Sequence, residues 1–326
     1  MNIRPSSAIS LLLPLFAGAL TVLAFAPFGY WPIQLLSLAL VFHLALRAQS
    51  VRKSVFIGWV YGFGWAVCGV YWLFVSMHRF GGMPAWLAVL AVLLLGLGVG
   101  VFAALALGVG IWLRQRWSSP AALGALLILP ACWTLTEWLR GWVFTGFPWL
   151  VSGYAHTGSP LAGFAPLGGV FGVGLLAAIA AGCLAYLPFR QTRGRILAVL
   201  LLIIVFAGGF VLHHVHWTEP NGQPISVRLL QTNVSQEMKF ARAQIEAMLA
   251  LNYGMITEQH ADLIATPETA VPVMAQRLPP KYLSQLATFA QMTGSHLLLG
   301  IPIFDGATDY TNSMIGLTPH TLSQPD

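Results

Sequence analysis

The sequence predicts an α-helical membrane bundle of about seven spans, followed by a partial α/β domain. Three observations predict it. Charged residues make up 8% of the 326 residues and hydrophobic ones 57%, against the roughly 25% charged of soluble domains. Of the ten acidic residues only Glu137 precedes Glu219, and all 12 tryptophans lie at or before Trp217. Apolar stretches long enough, or nearly long enough, to cross a bilayer fill the chain up to that point. Residues 1–218 therefore read as a transmembrane helical domain and residues 219–326 as a polar one.

The stretches lie near 8–26, 32–47, 54–76, 85–112, 120–139, 164–188 and 195–214. The second is the shortest. The first has features of a signal peptide, with Arg4 ahead of it and Ala24-Phe25-Ala26 as a cleavage site. Pro27 directly after that site, and the spans that follow, argue for retention. Gly58 and Gly62 in the third stretch have the small-xxx-small spacing of close helix packing.

Basic residues orient the bundle. One side carries Arg4, Arg47, Arg52, Lys53, Arg114, Arg116, Arg190, Arg193 and Arg195; the other carries Arg79 and Arg140. That asymmetry predicts a cytoplasmic N-terminus, and seven spans then put the chain after about residue 216 outside. The pI near 9.5 reflects these anchors and is no argument for nucleic acid. Cys68, Cys132 and Cys183 all fall within spans, so the outer part has neither a disulfide nor a thiol nucleophile. His213, His214 and His216 have no acidic or thiol partner nearby and do not read as a metal site. No motif implies a cofactor.

In "EWLRGWVFTGFPW", residues 137–149, Glu137 and Arg140 stand three apart at the outer end of the fifth span. An acid there must be paired or face water. They read either as a local ion pair or as a polar site at the outer leaflet. Phe147-Pro148-Trp149 reads as a rigid aromatic loop at headgroup level. Arg79 is the other outer cation, an anchor or a contact for a lipid phosphate.

The outer part reads β-α-β-α-β-β: strands at 225–232, 262–268, 296–304 and 312–319, and helices at 240–259 and 279–292. That order suggests a layered α/β sheet, and its two helices make half of such a domain. "LIATPETAVP", residues 263–272, puts Glu268 at a strand end between Pro267 and Pro272. Prolines stiffen the turn. An acid there is either solvated or catalytic.

Taken together, these features resemble the apolipoprotein N-acyltransferase family of bacterial inner-membrane enzymes. The resemblance rests on Phe25-Ala26-Pro27-Phe28, Phe80-Gly81-Gly82-Met83-Pro84, Arg140-Gly141-Trp142 and Thr145-Gly146-Phe147-Pro148-Trp149. It also includes Gln231, Asn233 and Gln236, Pro267-Glu268, and Tyr310 with Asn312, all in order on this topology. It implies that the outer part is a periplasmic nitrilase-like (carbon–nitrogen hydrolase) sandwich with a Glu-Lys-Cys triad. The Cys takes an acyl chain from a membrane phospholipid as a thioester. The amino group of an apolipoprotein's diacylglyceryl-cysteine then attacks it. Glu268 matches the general base of that triad. Glu137, Arg140, Arg79, Trp149 and Phe240 are the expected substrate-binding residues. Phe240 stands where the family usually has Trp, keeping the ring and losing the indole N–H.

The family's Lys and Cys lie further along than residue 326, followed by a last span. Lys281 does not match that Lys, and Cys183 lies within the membrane. The expectation is therefore an N-terminal portion that is inactive alone. The rival is a membrane scaffold that binds lipid or lipoprotein without acylating it. Transport is disfavoured, because the spans contain no acid except Glu137 near an end.

Overall fold

The computed structural model describes residues 7–48, 50–189, 191–234, 244–306 and 309–321. Arg4, Arg190, Gln236 and Phe240 lie outside the described residues. The chain divides into two compact units, Met1–Glu219 and Pro220–Asp326.

The first unit is helical. Its helices are α1 (Ser7–Thr21), α2 (Trp31–Ala48), α3 (Val51–Gly69), α4 (Trp72–Phe80), α5 (Ala85–Arg116), α6 (Ala121–Arg140), α7 (Pro160–Tyr186) and α8 (Thr192–His213). Among the described residues, α2, α5, α6, α7 and α8 are long and apolar enough to cross a membrane. The pair α3 and α4, bent by 47°, makes a sixth if taken as one span.

Among the described residues the seven expected spans are thus five or six: the third counts only when α3 and the bent α4 are joined, and the 15 described residues of α1 reach only about 22 Å at 1.5 Å each, short of a roughly 30 Å hydrocarbon core. A 3₁₀ turn, Val22–Ala24, follows, and the chain reverses through Phe28 N–H and Gly29 N–H, which both donate to Phe25 C=O at 3.0 Å. The apolar run continues across this reversal, so composition alone overstates the helix.

Close packing explains the glycines. A Cβ at Gly58 would stand 2.4 Å from Ala103 O, and one at Gly62 would stand 2.8 Å from Gly100 Cα, so α3 and α5 touch backbone to backbone. Phe42, Tyr61, Trp65, Leu107, Trp133 and Tyr186 fill the core. Arg47 lies over the Phe189 ring at 4.8 Å, and a Cβ at Gly124 would meet Arg114 Cδ and Leu46. The predicted basic connections therefore gather at one end. Trp72, at the start of α4, and Trp149, in the segment after α6, meet elsewhere, with rings 6.2 Å apart.

The second unit is a four-stranded mixed sheet in the order β1 (Val227–Leu229), β2 (Leu263–Ala265), β3 (His296–Phe304), β4 (Tyr310–Leu317). The first two pairings are parallel and the last antiparallel. β1 is shorter than its predicted run because it pairs with only three residues of β2. Two helices, α9 (Ile245–Thr257) and α10 (Tyr282–Thr293), contribute Leu249, Ile256 and Leu286 to a core with Ile264, Leu297 and Ile301. Strand alternation turns Leu229, Leu298 and Met314 to the opposite face, where all three are exposed. α10 starts at Tyr282 rather than Pro279, because Lys281 sits in the left-handed region at φ +72°.

Candidate functional site

β2 ends at Ala265, and the turn after it carries Glu268. That turn is laced to β3. Thr266 N–H donates to Leu298 C=O at 2.9 Å, Gly300 N–H donates to Thr266 Oγ1 at 2.9 Å, and Val271 N–H donates to Gly300 C=O at 3.1 Å. Only a glycine fits at 300, since a Cβ there would stand 2.1 Å from Pro267 O. From the helical side, buried Asn252 donates its Nδ2 to Met248 C=O at 2.9 Å and Ala270 C=O at 3.0 Å. Tyr282 OH donates to Leu249 C=O at 3.2 Å, and burial pushes its phenol up to about 12.

Thr269 holds φ at +48°, an uncommon value for a β-branched residue. Its hydroxyl donates to Asn312 Oδ1 at 3.0 Å, and Asn312 Nδ2 donates in turn to Glu268 Oε1. One amide on β4 therefore grips both residues of the turn. Glu268 is exposed and lines a cleft of about 180 Å³ with Gln231, Asn233, Met248, Pro267 and Ala270. Thr269 and Asn312 line a second hollow of about 570 Å³ with Pro272, Met274, Arg277 and Tyr310. Glu268 is thus held by an amide donor and exposed at the edge of a cleft.

Gln231, Asn233, Glu268, Tyr310 and Asn312, which stand apart in sequence, line these two adjoining spaces. Phe240 lies outside the described residues. Sequence reasoning missed Thr269, Gly300 and Asn252. Their signals are weak locally: a β-branched residue after an acid, a glycine inside an apolar strand, and an Asn on the apolar face of a helix.

In the helical unit Trp149 is half-exposed and stacks on Phe147 with centroids 5.2 Å apart. Arg79 lies on the last turn of α4, its guanidinium 5.7 Å from the Phe80 ring. Glu137 and Arg140 stand on the last turns of α6. They are 4% and 2% exposed, inside the bundle near Trp65 and Trp133. Trp65, Val99, Trp133 and Thr136 stand around both, and Ser152, in the segment after α6, bonds Glu137.

A sequence model described as the apolipoprotein N-acyltransferase N-terminal domain matches residues 17–183. Over 305 residues the chain is 44% identical to an apolipoprotein N-acyltransferase of Ralstonia nicotianae, covering 93% of this chain and 57% of that protein. One from Pseudomonas syringae pv. tomato is 41% identical over 295 residues, with coverages of 90% and 58%. One from Chromobacterium violaceum is 39% identical over 313 residues, with coverages of 95% and 59%. The chain thus spans less than two thirds of the length of these curated relatives.

Proposed function

The chain belongs to the apolipoprotein N-acyltransferase family, and we propose that it serves the N-acylation of an apolipoprotein's N-terminal diacylglyceryl-cysteine, with a membrane phospholipid as acyl donor. The observation that carries this reading is Glu268, set at a strand end and held by Asn312 at the edge of a cleft.

In this reading Glu268 takes the proton of a cysteine thiol, and the thiolate attacks the phospholipid ester carbonyl. The carbon–sulfur bond forms, the carbon–oxygen bond breaks, and Glu268 returns the proton to the leaving lysophospholipid oxygen. The substrate amine then attacks the thioester: the carbon–nitrogen bond forms, the carbon–sulfur bond breaks, and Glu268 passes the amine's surplus proton to the leaving thiolate, which regenerates the thiol. We place the Cys, and the Lys that steadies the oxyanion, beyond residue 326, in the second layer of a nitrilase-like sandwich. The exposed apolar face of Leu229, Leu298 and Met314 supports such a layer. Phe240 would flank the acyl chain, while Trp149 and Arg79 would face the lipid headgroup. The membrane would be the bacterial inner membrane, with the N-terminus cytoplasmic and the second unit periplasmic.

Two measurements test this. A chain extended through the family's Lys and Cys, given labelled phospholipid and a diacylglyceryl-cysteinyl peptide, is expected to yield N-acylated peptide through a hydroxylamine-sensitive intermediate. Its absence would overturn the reading. A reporter active only outside the cytoplasm is expected to give signal when fused after residue 220 and none after Arg116; the reverse pattern contradicts the topology.

A further inference from the structure

The depth of Glu137 and Arg140 poses a physical problem. Charges removed this far from water need their polar atoms satisfied. Glu137 Oε1 is well supplied, accepting from Ser152 N–H at 3.0 Å and Ser152 Oγ at 2.8 Å. Arg140 Nη2 stands 3.9 Å from that same oxygen, an ion pair but too long for a hydrogen bond. The guanidinium also lies over the Trp65 ring at 5.1 Å. Yet among the described residues Glu137 Oε2, Arg140 Nη1 and Arg140 Nη2 have no hydrogen-bond partner.

Both side chains line one small space with Trp65, Val99, Trp133 and Thr136, and its volume is about 10 Å³. A single water needs roughly that much room and two or more polar partners. A phosphate or any larger headgroup group does not fit. A metal cation is disfavoured by the neighbouring guanidinium.

We propose that this space is a binding site for one ordered water, which accepts from Arg140 and donates to Glu137 Oε2. The hydrated pair is a lock on the segment after α6, not a lipid contact. Ser152 connects the lock to that segment, since both its N–H and its hydroxyl fall on Glu137. Trp133 Nε1 donates to Ser152 Oγ at 3.1 Å and closes the ring of contacts. The lock thus positions the backbone just past the aromatic loop of Phe147 and Trp149.

The full chain in lipid nanodiscs tests the proposal in two ways. A high-resolution map is expected to show a density peak within hydrogen-bond distance of Glu137 Oε2 and of an Arg140 Nη. A map that resolves other buried waters and not this one overturns the site. Thermal unfolding then separates lock from headgroup contact. Arg140→Met is expected to lower Tm by roughly 10 °C, equally in purely zwitterionic lipid and in lipid containing phosphatidylglycerol. A loss seen only with the anionic lipid returns Arg140 to a headgroup role. Glu137→Gln keeps the acceptor for Ser152 but leaves the Arg140 charge buried without its partner. It is expected to lower Tm by roughly 10 °C in both lipids, and a Tm at or above the parent's overturns the lock.

Discussion

Glu137 and Glu268 sit in the two units of the molecule, and their surroundings differ in kind. Glu137 lies in the helical interior, its partners being Arg140 one turn away and Ser152 at the end of the next loop. Glu268 is exposed at a strand end and is gripped by Asn312, which comes 44 residues later on an antiparallel strand. The first is enclosed, with room beside it for about one water; the second is held by Asn312 and exposed at a cleft. Burial with local partners makes a structural charge, because moving it would unpair it. Exposure at a cleft, with an amide donor on the carboxylate, fits the base we propose, because a substrate proton can approach.

Truncating the two acids should break the comparison most visibly. Glu137→Ala leaves Arg140 buried and unpaired, and is expected to cost about 3–5 kcal/mol in thermal unfolding. Glu268→Ala removes an exposed side chain and its bond from Asn312, and is expected to cost about 1 kcal/mol. Equal losses would erase the distinction.

Asn312→Ala sharpens it from the other side. It removes the donor to Glu268 and the acceptor for Thr269. A hydrogen bond to a charged group contributes about 1.5–3 kcal/mol. Acyl-thioester formation in an extended chain is therefore expected to slow by roughly tenfold or more, while Asn312→Asp, which cannot donate, slows it as much.

A smaller effect comes from pH. The Tyr282 phenol is raised by burial from 10.0 to about 12. Its folded-state value lies above its unfolded one, so its contribution is fully present below pH 10 and is lost as pH rises toward about 12. Melting the second unit across that window should show the decline, and Tyr282→Phe should flatten it.

The legible parts of this molecule are those whose partners lie close in sequence. The spans from α2 onward follow from apolar runs closed by Arg47, Arg114 or Arg116. The spacing of Gly58 and Gly62 foretells the contact that α3 makes with α5. α1 is legible as apolar but not in length: it ends at Thr21, whose hydroxyl meets Ser37 and Tyr61 at 2.6 and 3.0 Å. The i,i+3 spacing of Glu137 and Arg140 announces a pair, but their burial depends on Ser152, across a loop no pattern describes. Glu268 stood out because prolines bracket it. Its fixing by Asn312, Gly300 and Asn252 depends on the register of β3 with β4 and on how α9 packs. That register is a tertiary choice, invisible in any short window.

The most direct measurement is the rate of acyl-thioester formation in a chain extended through the family's Lys and Cys, compared between Glu268→Gln and Glu137→Gln, with Tm recorded for both. Gln preserves the size and hydrogen-bonding shape of Glu268 but cannot accept the thiol proton. The account predicts that Glu268→Gln slows thioester formation by about 10²–10⁴ with Tm unchanged, while Glu137→Gln lowers Tm and retains the chemistry. A Glu268→Gln chain that forms thioester within about threefold of the parent, well inside the cost of losing a base, would contradict it and leave Glu268 a turn residue.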